Sequence, residues 1–197
     1  MTSYTGLIIE ESVKILNGSS LLDKASMYLW RQVILTLHKT FEHDQDGMTL
    51  PPNYPEASKS DERNVEFYQS PSHFGPISAA LLSQLANAAR VPMLPELIPA
   101  VAELAVAADS ADLHKEMNTA ILPYMRSDSS AVRLAAVQCE RALTERLGEE
   151  WLALLPEMLP FINEGMEDDD EAVEKEVHRW KIDIEGILGE SLNPMLE

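Results

Sequence analysis

Among the residue types that could supply a nucleophile, a proton carrier or a metal ligand, cysteine and histidine are the first to consider, and the chain has one cysteine and five histidines. The cysteine belongs to an apolar row with the 4, 3, 4, 4 spacing of one helix face: Val132, Ala136, Cys139, Leu143 and Leu147. A nucleophilic thiolate needs a nearby base and access to solvent. Because an apolar helix face is normally buried, we interpret Cys139 as a core residue.

His38 and His43, with Asp44 and Asp46 close behind, form the best candidate for a metal-ligand cluster. Histidines five residues apart lie on different faces of a helix, because neighbours on one face are three or four residues apart. The two aspartates lack the ligand spacing and the closing glutamate of an EF-hand loop. We therefore interpret the cluster as a solvated helix end.

The other histidines are isolated from one another in the sequence: His73, His114 and His178. The sequence contains no glycine-rich phosphate loop, nucleophile elbow or paired zinc motif. It therefore predicts a protein that is not an enzyme, with no catalytic residue, no cofactor, no metal site and no small-molecule substrate.

A run of five acidic residues is the strongest charge feature: Glu167, Asp168, Asp169, Asp170 and Glu171. Acids at the amino terminus of a helix complement its dipole, and a polar terminal repeat keeps a helical stack soluble. The alternative is a docking patch for a basic segment of a partner. We favour the first interpretation and keep the five acids as candidate partner-binding residues.

Tyr54 is a further candidate for partner binding, because it is an aromatic residue among prolines in a stretch without helical periodicity. In the same stretch, Ser60 precedes Asp61 and Glu62 and could accept a phosphate group. A connector without a binding role is the favoured interpretation of this stretch.

The elements that position these residues include a helical hairpin that occurs twice between residues 122 and 189. At a shift of 41 residues the second helices superimpose, with Val132 on Val173. The first helices match at a shift of 37, and their shared Leu-Pro step, at Pro123 and Pro160, predicts a bend inside each. A period near 40 with two helices per unit is typical of HEAT repeats, and no segment alternates with period two. The sequence predicts an all-α fold, an α-solenoid of HEAT-type helical hairpins.

Asp128 and Arg133 match a pattern of HEAT units. In those units, an acid in the turn within a repeat and an arginine at the start of the second helix form a ladder between repeats. The second copy keeps an acid, Asp169, but has Glu174 in place of Arg133. We therefore expect the ladder to stop there.

Periodicity divides the chain into three parts. We expect a degenerate helical pair in residues 1–43, a loop insertion in residues 44–71, and HEAT repeats with a carboxy-terminal cap in residues 72–197. Residues 64–69 of the insertion are compatible with a short helical turn. Because the first helix begins without a polar cap and a solenoid needs a polar terminal repeat, we expect the chain to be part of a longer protein.

The net charge of -18, from 33 acidic and 15 basic residues, disfavours direct nucleic-acid binding, because such a surface repels phosphate. A basic protein partner suits this surface better. The sequence has no apolar run long enough for a membrane span, and its single cysteine allows no internal disulfide.

Several ordered blocks of the carboxy-terminal half are similar to a known family: 97–109, 128–136, 147–161 and 186–192. They resemble the domain that closes the very long HEAT-repeat subunit of the UtpA (t-UTP) subcomplex of the small-subunit processome, a U-three small nucleolar RNA-associated protein. The similarity covers at least residues 67–192, whereas the amino-terminal third agrees only in being helical.

The resemblance implies a non-catalytic scaffold of the nucleus and nucleolus that supports rRNA transcription and early cleavage of the ribosomal RNA precursor. It implies other UtpA (t-UTP) subunits as partners, with pre-rRNA and small nucleolar RNA reached indirectly through the assembled complex. The alternative, from another class, is a generic HEAT-repeat adaptor for nuclear transport or phosphatase assembly.

Overall fold

The computed structural model describes residues 4–18, 24–45, 65–87 and 94–196. Every regular element of those residues is helical, which confirms the predicted all-α class. The α-helices are α1 (Tyr4–Gly18), α2 (Lys24–Gln45), α3 (Val65–Gln69), α4 (Pro71–Leu82), α5 (Leu94–Ala108), α6 (Ala111–Ile121), α7 (Ser130–Leu147), α8 (Glu149–Leu152), α9 (Leu155–Gly165), α10 (Glu171–Leu188) and α11 (Asn193–Leu196). Two 3₁₀ segments, Ser83–Asn87 and Leu122–Arg126, follow α4 and α6. None of these helices is long and apolar enough to cross a membrane.

The helices form two layers of stacked hairpins. In one layer α2 packs against α5, α5 against α7, and α7 against α10. In the other layer α1 packs against α4, α4 against α6, and the 3₁₀ segment after α6 against α9. Helices that follow each other along the chain, such as α1 and α2 or α9 and α10, pack across the layers. The arrangement fits a helical repeat fold, in which each hairpin buries its apolar face against its neighbours.

Residues that correspond at a shift of 41 occupy corresponding places in the stack. Val132 and Val173, at the start of α7 and α10, are 5% and 2% exposed. Both helices also end at a glycine with positive φ, Gly148 at 58° and Gly189 at 73°. Glycine adopts positive φ without the steric cost of a side chain, which suits it to the end of a helix.

The two Leu-Pro steps, for which the sequence predicts a shared bend, lie in different kinds of helix. At the first step α6 ends at Ile121, and the chain continues as the 3₁₀ segment that contains Pro123. At the second step Pro160 lies inside the continuous helix α9. The shared bend stays a prediction, and in the first copy a 3₁₀ segment contains the proline, which cannot donate a backbone hydrogen bond.

The predicted insertion contains one helix that the structure describes. Helix α2 continues to Gln45, and α3 occupies Val65–Gln69, where the sequence is compatible with a short helical turn. The intervening residues 46–64 lie outside the described part of the chain.

Candidate interaction site between the hairpins

Arg133 connects two successive hairpins at one edge of the stack. It lies in the first turn of α7, which begins after the N-cap residue Ser129. Its guanidinium donates two hydrogen bonds to the Asp168 carboxylate, from Nε to Oδ2 at 2.8 Å and from Nη2 to Oδ1 at 2.7 Å. Nη2 also donates to Asp169 Oδ1 at 2.6 Å. Both acids lie in the turn between α9 and α10, so the contact joins the hairpin of α7 to the next one.

This ion pair is shielded from solvent. The side chains of Arg133 and Asp168 are 13% and 10% exposed. Burial opposes the ionisation of Asp168, but hydrogen bonds from Arg133 and from the backbone N–H of Asp170 lower its pKa overall. The hydrogen bond to Asp168 raises the pKa of Arg133. A two-bond arginine–carboxylate pair is directional as well as strong, so it fixes the position of one hairpin relative to the next.

Asp128 takes part in this contact through its backbone. Arg133 Nη1 donates to the carbonyl oxygens of Ser127 at 3.0 Å and of Asp128 at 3.4 Å. The Asp128 side chain is exposed. The structure therefore brings Arg133 to the acids of the following turn and not to the Asp128 carboxylate. Glu174, which occupies the arginine position in the second copy, lies 3.9 Å from His178 of its own helix.

Two acids of the run, Asp168 and Asp170, accept hydrogen bonds within the fold. Asp168 accepts the hydrogen bonds of Arg133, and its Oδ1 accepts the N–H of Asp170 at 2.9 Å. Asp170 is the N-cap of α10 and accepts the backbone N–H of Ala172 at 2.9 Å. Hydrogen bonds from the Ser130 side chain and from the backbone N–H groups of Ala172 and Val173 lower the pKa of Asp170. The favoured sequence interpretation, acids that stabilise a helix start, agrees with the position of Asp170.

The other three acids of the run face solvent. Glu167 is exposed, and Asp169 is 91% exposed in spite of its contact with Arg133. Glu171 is also exposed and pairs with Lys175 one turn later on α10. The run therefore does not form one continuous free patch.

Further ion pairs join successive hairpins along the stack: Lys115 with Glu157, Arg126 with Glu164, Arg141 with Glu176 and Asp183, and Arg146 with Glu103. The arginine pairs are 35 to 43 residues apart in sequence, which is close to the repeat period. Sequence reasoning missed these pairs. The usable signal was an arginine and an acid separated by about one repeat.

Every lysine and arginine whose side chain the structure describes lies within hydrogen-bonding or ion-pair distance of a carboxylate. These residues are Lys14, Arg31, Lys39, Lys115, Arg126, Arg133, Arg141, Arg146, Lys175, Arg179 and Lys181. The described surface therefore offers no basic group that is free to neutralise a phosphate.

A buried polar contact inside the stack was also missed by sequence reasoning. Trp151 Nε1 of α8 donates to Glu140 Oε2 of α7 at 3.0 Å, and Trp180 Nε1 of α10 donates to Thr144 Oγ1 of α7 at 2.8 Å. All four residues are fully buried. Burial raises the pKa of Glu140 to about 8, although the hydrogen bond from Trp151 acts in the opposite direction. Glu140 is therefore mostly protonated at neutral pH and acts as a neutral hydrogen-bonding group of the core.

The predicted core role of Cys139 agrees with its position. Its side chain is fully buried, and burial raises the pKa of the thiol well above its usual value. His114 is buried and bonds the Ala105 carbonyl oxygen through Nε2 at 2.9 Å, whereas His73 stacks on the Phe67 ring at 4.0 Å. Within the described residues no three histidine, cysteine or acidic side chains come together as a metal site would require.

The predicted partner-binding residue Tyr54 lies outside the described residues, and so do Asp46 and Ser60. Their proposed roles stay predictions.

Curated fungal proteins match the chain along its whole length. U3 small nucleolar RNA-associated protein 10 of Chaetomium globosum is 47% identical over 197 residues, and that of Coccidioides immitis is 49% identical over 208 residues. The protein of the same name from Neosartorya fischeri is 46% identical over 211 residues. In each case the match covers 100% of this chain. Over its whole length, the chain is therefore similar to one region of the proteins named U3 small nucleolar RNA-associated protein 10.

The BP28CT (NUC211) domain family also matches, over residues 1–49. The family similarity therefore includes the amino-terminal third, and the expectation that this third agrees only in being helical is wrong. Sequence reasoning relied on repeat blocks, and the amino-terminal third has none that echoes the 41-residue period. The chain spans 10% of the Chaetomium and Coccidioides proteins and 12% of the Neosartorya one.

Proposed function

We propose that this chain is a non-catalytic HEAT-repeat scaffold that acts in ribosome biogenesis, in processing of the small-subunit rRNA precursor and in rRNA transcription. The observation that carries the proposal is the identity of 46–49%, along the whole chain, to relatives named U3 small nucleolar RNA-associated protein 10. The stacked hairpins support a scaffold, because such stacks present long surfaces on which other proteins can dock.

The charge distribution supports contacts with proteins in preference to RNA. The chain carries a net charge of -18, and its described basic side chains are all engaged with carboxylates. Binding of RNA depends on basic groups that release counterions from phosphates. Pre-rRNA and small nucleolar RNA are therefore reached indirectly, through other subunits of the assembled complex.

The partners in this proposal are the other UtpA (t-UTP) subunits of the small-subunit processome, and the location is the nucleolus. In this proposal the chain has three parts: a degenerate helical pair in residues 1–43, an insertion in residues 44–71 and HEAT repeats in residues 72–197. Glu167, Asp169 and Glu171 are proposed as partner contacts because they face solvent.

Affinity purification of the full-length protein, with and without nuclease, tests the proposal. We expect processome subunits to co-purify in both cases, because the contacts are made by protein. Loss of all protein partners after nuclease treatment would contradict the proposal.

Charge reversal tests the acidic run. Glu167→Lys combined with Glu171→Lys should weaken the co-purification, whereas the control change of Glu149→Lys with Glu150→Lys should not. The control acids are exposed and lie at the start of α8, at the opposite end of the hairpin. Equal effects of the two double changes would remove the acidic run from the proposal.

The alternative function, a HEAT-repeat adaptor for nuclear transport or phosphatase assembly, predicts a different location. Fluorescence microscopy of the tagged full-length protein distinguishes the two functions. Enrichment in the nucleolus supports the processome role, and exclusion from the nucleolus supports the adaptor.

A further inference from the structure

One ridge of α10 is left uncovered by the described part of the chain. It consists of Glu174, His178, Ile182 and Gly186, which are four residues apart and so lie in one row on the helix. We call this row the terminal ridge. His178 and Gly186 are exposed, and Ile182 is 64% exposed, a large value for an apolar side chain. Glu174 is partly exposed.

The same row exists one repeat earlier, on α7, and there it faces the next hairpin. Its first three members are Arg133, Val137 and Arg141, which correspond to Glu174, His178 and Ile182 at a shift of 41. Val137 is 1% exposed. Arg133 reaches Asp168, and Arg141 reaches Glu176 and Asp183 of α10. In this stack, then, the row is the part of a helix that receives the following hairpin.

The terminal ridge has a different chemistry from its counterpart on α7. Glu174 replaces Arg133, and Ile182 replaces Arg141. A hairpin that carried acids equivalent to Asp168, Glu176 and Asp183 would place carboxylates opposite Glu174. It would also leave the apolar side chain of Ile182 without an apolar contact. Like charges that face each other disfavour a wrong partner. An element that fits needs a basic group opposite Glu174 and an apolar side chain opposite Ile182.

We propose that the terminal ridge docks a helix of another protein that carries a lysine or arginine and, about two helical turns away, a large apolar residue. Glu174 and Ile182 are eight positions apart in sequence, which corresponds to about 12 Å along α10. Gly186 has no atom within 4 Å of the place where a Cβ would stand, so a bulky side chain of the partner can lie beside Ile182. This proposal rests on the proposed scaffold function and names the chemistry of one partner.

Charge decides between another protein and a second copy of this chain. A second copy would have to supply a basic group to Glu174. The described lysines and arginines of the chain are already paired with carboxylates, and the chain carries a net charge of -18. A basic partner removes this repulsion, so the charges of the described residues favour a different protein as the occupant.

Site-specific photocrosslinking in the full-length protein, in its native cells, tests the proposal. The photoreactive residue p-benzoylphenylalanine replaces Ile182, or in the control replaces Thr119, which is exposed on α6 in the other layer. Mass spectrometry identifies the linked peptide. We expect a crosslink at position 182, at least tenfold stronger than at position 119, to a helical peptide of another protein with a basic and an apolar residue two turns apart.

Charge reversal supplies the second readout. Glu174→Arg should reduce the crosslink at position 182 at least tenfold, whereas Glu174→Gln should reduce it less. No crosslink above the control, a crosslink to this protein itself in the same or a second copy, a crosslink to RNA, or no effect of Glu174→Arg would each overturn the proposal.

Failure of this proposal can be distinguished from failure of the proposed function. If only the docking ridge is wrong, Glu174→Arg leaves the nuclease-resistant co-purification of processome subunits unchanged. If the scaffold function is wrong, those subunits do not co-purify with the unaltered protein either.

Discussion

Replacing Glu140 by glutamine should make the stability of the chain less dependent on pH. Glu140 is fully buried, and its carboxyl group accepts a hydrogen bond from Trp151. Glutamine keeps a carbonyl oxygen that can accept this bond and stays neutral at every pH. The change therefore removes one ionisation and preserves most of the packing.

The expected magnitude follows from the pKa of Glu140, which burial raises from 4.5 to about 8. The folded state holds this proton more tightly than the unfolded state does. The stability that the proton contributes is fully present below pH 4.5 and is lost as the pH rises towards 8. One pKa unit corresponds to about 1.4 kcal/mol, so the loss at pH 7 is about 3 kcal/mol.

Urea denaturation followed by tryptophan fluorescence, between pH 4.5 and pH 8.5, measures this effect. The free energy of unfolding of Glu140→Gln, minus that of the unaltered chain, should grow by about 3 kcal/mol between pH 4.5 and pH 7. Glu145→Gln is the matched control, because Glu145 is exposed on the same helix. If the curves for Glu140→Gln and the unaltered chain run parallel over this range, Glu140 is ionised in the folded state and the reasoning is refuted.

Two further changes test the packing between hairpins. Arg133→Gln breaks the shielded two-bond contact with Asp168 and should lower the free energy of unfolding, measured in urea, by about 2–3 kcal/mol. A loss below about 0.5 kcal/mol would mean that the contact does not hold the hairpins together. Gly165→Ala would place a Cβ 2.8 Å from Val177 Cγ2 and should cost about 1–3 kcal/mol in the same assay. Adding Val177→Ala should make the double change less costly than the sum of the single changes, and strict additivity would show that this close contact is relieved in another way.

Much of the fold was predictable because local and periodic signals agree in the carboxy-terminal half. The helical spacing of apolar residues identified α7 and α10, and the shift of 41 placed Val132 and Val173 at equivalent buried positions. The helix boundaries and helix types were less predictable than the presence of the helices. Both Leu-Pro steps look alike in sequence, yet one lies in a 3₁₀ segment and the other inside α9.

The candidate site was predictable only in part. The acidic run was visible, and the pattern around Arg133 indicated a contact between repeats, but its acceptor could not be named from sequence. The acid inside the same turn, Asp128, and the acids of the next turn, Asp168 and Asp169, are equally plausible partners when only spacing is known. The approach of the two hairpins brings Arg133 to Asp168 and Asp169 of the next turn.

By itself, the sequence determined that this protein is helical, that its hairpins recur about every 40 residues and that its surface is acidic. These properties are set by local periodicity and by composition, which do not depend on how distant segments meet. Only the tertiary structure decided which charges are paired, which acids remain exposed, and that Glu140 is buried in a core contact with Trp151. Pairing and burial depend on the approach of residues about one repeat apart, and that approach is a property of the stack.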